Sequence, residues 1–208
     1  MNIAVLVSGG GTNLQAIIDR IEDGSLSDVY ISVVISSSSD AYAIERAQKH
    51  GISVVSIVKK NFSTANDFDR AIMDTLAKYG TEFIVLAGYL SLLGHCVVEQ
   101  YKNRIINIHP SLIPSFCGAG MYGIRPHEAA LQRGVKVSGA TVHIVDSAYD
   151  EGPIILQKAI DIAPNDTPQT LQKRIMNECE QVILPKAIQL FAHNRIKVDG
   201  RVARIIDV

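Results

Sequence analysis

The chain has 208 residues, 47% of them hydrophobic and 20% charged, and a formal net charge of −1. That length suits one globular domain with a sizeable core, and the near-neutral charge excludes a protein built on bulk attraction to nucleic acid. No apolar run approaches the roughly 18 residues of a membrane span.

The first residues lack the charged start and cleavage site of a signal peptide. Cys96, Cys117 and Cys179 are odd in number and far apart, which indicates neither a disulfide framework nor a zinc site. A reduced, cytoplasmic setting is expected.

Ile3 to Val7 is a continuous apolar run of strand length. Ser8-Gly9-Gly10-Gly11-Thr12-Asn13 follows, and Leu14, Ile17, Ile18 and Ile21 then recur at helical spacing. Strand, glycine loop and helix is the reading. Glycines let a ligand approach the backbone, and the free amides of a helix start attract anions, which favours a phosphate site over a mere tight turn. It is not a Walker loop, since no Gly-Lys-Ser/Thr follows, nor a dinucleotide fingerprint, since Leu14 takes the last glycine's place.

Tyr30 to Ile35 reads as a second strand, closed by Ser36-Ser37-Ser38-Ser39-Asp40. A helix from about Ala41 to His50 leads through Gly51 to a third strand, Ser53 to Ile57. Asn61-Phe62-Ser63 is expected to open a longer helix with Phe68, Ile72, Leu76 and Tyr79 on one stripe. Phe83 to Ala87 is the strongest strand signal, closed by Gly88. Tyr89-Leu90-Ser91-Leu92-Leu93 is apolar but too short for a helix; it either packs in the core or lines a pocket for a flat apolar ligand. The alternation predicts a mainly parallel twisted sheet with helices on both faces.

Tyr101 to Ile106 reads as the next strand, followed by Asn107-Ile108-His109-Pro110-Ser111-Leu112-Ile113-Pro114, where two prolines forbid a regular element. If Asn107 and His109 are still extended, period-two alternation sends both side chains to one face at the strand's carboxyl end, where open α/β sheets hold their ligands. An amide beside a titratable ring can stabilise an oxyanion and move a proton. A strand end with His109 in a structural hydrogen bond is the alternative.

A glycine-containing loop (Phe116 to Gly120) precedes a helix from about Pro126 to Gln132 that ends at Gly134. Lys136 to Val145 looks like one long strand, in which Gly139-Ala140-Thr141 suggests a bulge or close approach to a ligand. The loop Asp146 to Pro153 carries three carboxylates. A further strand runs from Ile154 to about Ile162, and Thr167 caps a helix reaching to about Ala192. Asp199-Gly200 is a hairpin turn signal.

None of the six histidines (His50, His95, His109, His127, His143, His193) has metal-ligand spacing, so no metal is expected. His143 alternates with Thr141 and reads as structural or supporting; His50 and His193 read as surface residues. No serine lies in a nucleophile elbow. An Asn/His pair, an acidic loop and a glycine loop for an anion suit attack by an amine on an acyl carbon, which means acyl or one-carbon transfer.

Over nearly its whole length the chain resembles the phosphoribosylglycinamide formyltransferase family, folate-dependent enzymes of purine synthesis. The resemblance is carried by the run from Ile3 to Ile17 with its glycine loop, by Val85-Leu86-Ala87-Gly88-Tyr89, by Asn107 to Pro114, and by Asp150-Glu151-Gly152-Pro153-Ile154-Ile155. It implies a single α/β domain of Rossmann-like formyltransferase fold, with a mainly parallel sheet and one antiparallel strand. Residues 1–106 would form a nucleotide-phosphate-binding half, and 107–208 a catalytic and folate-binding half. The chain is short for the related formyltransferases and deformylases that carry a further domain.

The activity implied is transfer of the formyl group of 10-formyltetrahydrofolate, a co-substrate, to the amine of glycinamide ribonucleotide. Gly11, Thr12 and Asn13 would bind the ribose phosphate, with Glu180 (preferred over Glu178 by its distance to Pro185) near the ribose. Asn107 and His109 would flank the formyl carbon, while Asp150 would keep His109 protonated and accept the amine's proton through water. Tyr89, Leu90, Ser91, Leu92 and Leu93, together with Asn107 and the loop Asp146, Ser147, Ala148, Tyr149 and Asp150, would wrap the pterin. The resemblance also makes Ile113-Pro114 a candidate cis peptide.

Ser91 stands where family members often carry Arg, another such Arg is missing near Ala65, and the 117–123 loop is longer than the common form. Contacts to the folate tail and acceptor are therefore expected to differ. Partners are expected to be small molecules only, with neither nucleic acid nor membrane, on a monomer or homodimer. Rival readings are a formyltetrahydrofolate hydrolase using the same residues with water, a formyltransferase for another amine, and a binding module without catalysis.

Overall fold

The computed structural model describes residues 1–206, which cluster into two compact units, Met1–Ile106 and the segment from Asn107 onward. The first unit is built on β1 (Asn2–Val7), whose residues from Ile3 on are all buried. It lies between parallel partners β2 (Tyr30–Ser36) and β4 (Phe83–Leu86), and β3 (Val54–Ser56) pairs with β2, giving the order β3-β2-β1-β4. A central strand covered on both faces has no polar side to show, which is why its sequence is continuously apolar.

Gly11 ends the glycine loop at φ 70°, and α1 (Thr12–Glu22) starts immediately after it. A Cβ on Gly11 would lie 2.6 Å from the Ala43 Cβ in α2 (Tyr42–Lys49). Positive φ and close helix approach both require glycine there. The third helix, α3 (Ala65–Lys78), opens later than expected. Thr64 caps it by accepting from the Asp67 amide, while Asn61 closes a short 3-10 turn.

A short helix, α4 (His95–Gln100), was not legible because it buries only Val97 and Val98 and so shows no stripe. Tyr101, expected in a strand, terminates this helix, and Asn103 turns the chain at φ 58°. The next strand, β5 (Ile105–His109), therefore sits later than the expected Tyr101–Ile106 and takes in Asn107 and His109.

In the second unit the strand order is β5-β6-β7, with β6 (Val137–Ile144) antiparallel to β7 (Ile154–Asp161). Gly139 faces Ala159 across this pair, and a Cβ there would fall 2.0 Å from the Lys158 carbonyl oxygen and 2.9 Å from Leu112 Cδ2. The glycine thus admits a neighbouring backbone rather than a ligand. The pairing irregularity lies further on, between Val142 and His143.

After α5 (Arg125–Arg133), α6 (Pro168–Ile175) opens on a Thr167/Thr170 capping box. The expected single helix is interrupted by a π-turn, Met176–Glu180, before α7 (Gln181–Ala192). Such wide turns recur at functional positions. The strands β8 (Ile196–Asp199) and β9 (Val202–Ile205) form the expected hairpin around Gly200, at φ 58°. The architecture is the expected Rossmann-like α/β class, mainly parallel with an antiparallel strand, β7. Among the described residues no helix is long and apolar enough to cross a membrane.

Candidate functional site

Asn107 and His109 both belong to β5, so alternation puts their side chains on one face, as expected. His143 reaches them from β6. Its Nδ1 lies 3.0 Å from the Ile144 carbonyl oxygen, which can only accept, so Nδ1 carries the proton and Nε2 a lone pair. That lone pair is 3.1 Å from Asn107 Nδ2. The carboxamide must therefore turn its amino group inward, where one N–H is engaged by His143 and the direction of the other is fixed. Burial, opposed in part by the Ile144 carbonyl and the Asp150 carboxylate, holds the His143 pKa below its usual value. The ring stays neutral and remains an acceptor.

His109 is buried and donates from Nε2 to the Phe116 carbonyl oxygen at 3.0 Å. Its Nδ1 then faces Asp150 Oδ2 across 3.7 Å, and Asp150 Oδ1 stands 3.7 Å from His143 Nε2. A direct hydrogen bond is about 3 Å, so at this spacing ring and carboxylate face each other without one. The carboxylate is held by the Gly118 amide, which donates to Oδ2 at 2.9 Å. Phe116 and Asp150 have φ of 53° and 56°. Left-handed backbone costs non-glycine residues about 1–2 kcal/mol each, and here both the residue that bonds His109 and the one that faces it carry it.

The turn between these groups is pinned from below. Thr141 Oγ1 donates to the Ser111 carbonyl at 2.7 Å and accepts from the Ile113 amide at 3.1 Å. Gln157 Nε2 donates to the Ile113 carbonyl at 2.9 Å, and Ser111 Oγ donates to Ser115 O at 2.6 Å. The Ile113–Pro114 peptide is cis, as anticipated.

Asp146, Ser147, Ala148, Tyr149 and Asp150 form one continuous loop, opened by an Asx turn in which the Ala148 amide donates to Asp146 Oδ1 at 2.9 Å. A Cβ on Gly152 would fall 1.9 Å from the Ile144 carbonyl oxygen, so only glycine lets the loop close against β6. Arg201 ties it from the hairpin by donating to the Glu151 carbonyl at 2.7 Å. A groove of about 690 Å³ runs beside it, lined by Tyr149, Asp150, Cys117, Ile154 and Arg201 among others. The Cys117 thiol is pushed up by burial and then by Asp150 and Glu151, which suits a spectator rather than a nucleophile. Glu180 lies buried on the π-turn, whereas Glu178 is exposed and paired with Arg174 at 3.4 Å.

In the first unit, the Gly9 carbonyl accepts from the Ala43 amide at 3.0 Å and the Gly10 carbonyl from Arg46 Nε at 2.8 Å. Thr12 and Asn13 form the first turn of α1, with Asn13 buried. Tyr89 to Leu93 has no regular structure. It is joined to the end of β1 by the Leu90 amide, which donates to Ser8 Oγ at 2.8 Å. Leu90 and Leu92 are 59% and 58% exposed, so core packing does not account for them. Among the described residues no group of three or more His, Cys, Asp or Glu is placed to hold a metal ion.

His143 is the residue whose contact sequence reasoning missed, although its alternation with Thr141 on a strand next to β5 was the available signal. The Phe116 carbonyl and Gly118 amide gave no signal, being backbone groups set by local φ. His127, fully buried in α5, has no protein partner within hydrogen-bonding distance of either ring nitrogen. Burial, with a lesser push from His109, lowers its pKa from 6.5 to about 4. Below pH 6.5 the unfolded chain then takes up a proton that the folded chain refuses. Stability present above 6.5 is lost as pH falls toward 4, by roughly 3 kcal/mol for this group. Urea unfolding should show this loss in the wild type and a shallower pH dependence in His127→Leu; equal slopes would clear His127 of the effect.

A family model described as formyl transferase matches residues 1–188. The phosphoribosylglycinamide formyltransferase of Escherichia coli is 34% identical over 203 residues, covering 98% of this chain and 92% of that protein. The chloroplastic phosphoribosylglycinamide formyltransferase of Arabidopsis thaliana is 37% identical over 94% of this chain, which spans 66% of the plant protein's length. Among solved structures, glycinamide ribonucleotide transformylase 1 from Symbiobacterium toebii superposes with a TM-score of 0.93 at 42% identity, covering 100% of this chain and 94% of that one. With nine-tenths of its length matched by that model, the chain belongs to the formyl transferase family.

Proposed function

We propose that the chain transfers the formyl group of 10-formyltetrahydrofolate to the amine of N1-(5-phospho-D-ribosyl)glycinamide, a step of purine biosynthesis. The observation that carries the reading is the oriented set in the second unit: an Asn107 amino group fixed by His143, and a His109/Asp150 pair separated by a 3.7 Å gap. Binding alone does not require that arrangement.

Folate supplies a formyl group on nitrogen. The N–H of Asn107 that His143 does not use donates to the formyl oxygen as negative charge develops on it. The His109 ring, with Nδ1 turned to Asp150, can supply a second donor to the same oxygen. The Asp150 carboxylate accepts, through water, the proton released when the amine bonds to the formyl carbon. The same proton then serves the departing folate nitrogen, so acid and base roles alternate within one pair.

Gly11, Thr12 and Asn13 bind the acceptor's phosphate at the start of α1, and Glu180 lies by its ribose. The exposed Leu90 and Leu92, with Tyr89, Ser91 and Leu93, offer apolar cover to the pterin. Asn107 and the loop from Asp146 through Ser147, Ala148 and Tyr149 to Asp150 contribute polar contacts. The exposure of Leu90 and Leu92 fits a role in holding a flat ligand.

Absorbance during 10-formyltetrahydrofolate consumption, followed with and without the ribonucleotide, tests the reading. Turnover that requires the nucleotide is the expected result. Equal turnover without it would establish a hydrolase, and no turnover in either case would sink the acceptor assignment.

A further inference from the structure

The glycine loop is held from behind by α2. Two successive carbonyls, those of Gly9 and Gly10, are fixed there by the Ala43 amide at 3.0 Å and by Arg46 Nε at 2.8 Å. In a trans peptide the N–H of the next residue points opposite to the carbonyl. Anchoring these two carbonyls on α2 therefore turns the Gly10 and Gly11 amides the other way, toward the open side of the loop. Nothing lies within 4 Å of a Cβ built on Gly9 or Gly10. Successive amides aimed in one direction form an anion-binding concavity.

Arg46 is itself oriented with unusual completeness for a partly exposed arginine. Its Nη1 donates to Gln15 Oε1 at 3.1 Å, and its guanidinium carbon stands 5.0 Å from the centre of the Tyr42 ring. Gln15 cannot turn away, because its amino group is engaged on both sides. It donates to Asp19 Oδ1 at 2.8 Å and meets His50 Nε2 at 3.2 Å, while His50 Nδ1 lies 2.6 Å from Glu22 Oε1. A carboxylate beside Nδ1 puts the proton there and leaves Nε2 to accept from Gln15. The chain Glu22–His50–Gln15–Arg46 thus ends on the Gly10 carbonyl and fixes a permanent positive charge behind the loop. Gly11 is packed so tightly here that a Cβ on it would lie 3.3 Å from Arg46 Cδ.

We infer that Arg46 is a positioning residue of the acceptor site. By holding the Gly10 carbonyl it aims the Gly11 amide at a phosphate monoester, and its charge raises affinity for the dianion. The inference rests on the glycine loop being the phosphate site, and it adds a residue that touches the loop rather than the ligand. Lysine carries the same charge but lacks the planar fork that engages Gly10 and Gln15 together.

The test compares wild type, Arg46→Met, Arg46→Lys and Gln15→Met. The quantities are KM for the ribonucleotide, KM for the folate, kcat, and competition by inorganic phosphate against the nucleotide. Arg46→Met should raise the nucleotide KM and weaken phosphate competition together by about tenfold, with folate KM and kcat within about twofold, as expected for loss of one charge-assisted contact. Arg46→Lys should fall between it and wild type, and Gln15→Met, which keeps the charge but frees the fork, should shift both quantities by about threefold. A folded Arg46→Met enzyme with unchanged nucleotide KM and phosphate competition would overturn the role of Arg46 alone. Failure of phosphate to compete in the wild type would instead overturn the phosphate-site reading beneath it. Should Arg46→Met not fold, the lysine and Gln15 variants decide by the same two quantities.

Discussion

Replacing Asp150 by asparagine is expected to lower kcat by about three orders of magnitude, within the range for losing a positioned acid–base group, while the protein stays folded. The substitution is chosen for its backbone. Asp150 sits at φ 56°, a conformation asparagine tolerates nearly as well as aspartate, whereas alanine would add strain unrelated to charge. The asparagine oxygen can still accept from the Gly118 amide, so the loop keeps the bond that holds it at 2.9 Å. What is lost is the negative charge facing His109 Nδ1 and His143 Nε2, each 3.7 Å away. Without it the attacking amine has no proton acceptor. The measurement is steady-state kinetics beside a urea melt of the same preparation. A parallel loss of activity and folded state would mean that the carboxylate is a structural tie; a kcat within tenfold of wild type would remove Asp150 from the chemistry.

Much of this arrangement was legible because it rests on pattern. The apolar runs of β1 and β4 and the period-two pair Asn107/His109 depend on side-chain character and spacing, which a sequence displays directly. The displaced start of β5 follows from α4, whose six residues bury two side chains and give periodicity nothing to act on. Gly139 shows a limit of another kind. A glycine in a strand announces a close approach without saying to what, and here the neighbour is the β7 backbone. Phe116 and Gly118 hold His109 and Asp150 through main-chain atoms whose direction is set by φ. No residue type encodes that, so these two grips on His109 and Asp150 emerge only from the folded structure. His143 lies between these cases: its position beside β5 could be read from strand order, but its hydrogen bond to Asn107 could not.

That hydrogen bond governs the second large effect. Asn107→Leu, nearly isosteric, removes the fixed N–H and should lower kcat by about 10²–10³-fold, the usual consequence of losing one oxyanion donor. His143→Phe keeps the ring's volume but takes away the acceptor that orients the carboxamide, leaving Asn107 free to rotate. A loss of about tenfold is expected from it, together with roughly 1–3 kcal/mol of stability, since the Ile144 carbonyl loses its buried donor at the same time. If His143 acts through Asn107, the double variant should be no slower than Asn107→Leu alone, because there is then nothing left to orient. Multiplying losses would show instead that His143 works independently, through the Asp150 carboxylate that its Nε2 also faces at 3.7 Å. Acid should reproduce the His143 effect in the wild type. Once the ring is protonated, Nε2 becomes a donor and repels the Asn107 amino group, so the carboxamide must turn its oxygen inward and its amino group shifts off the formyl oxygen. The acid limb of kcat should therefore be shallower in Asn107→Leu than in the wild type, and an unchanged limb would separate His143 titration from catalysis.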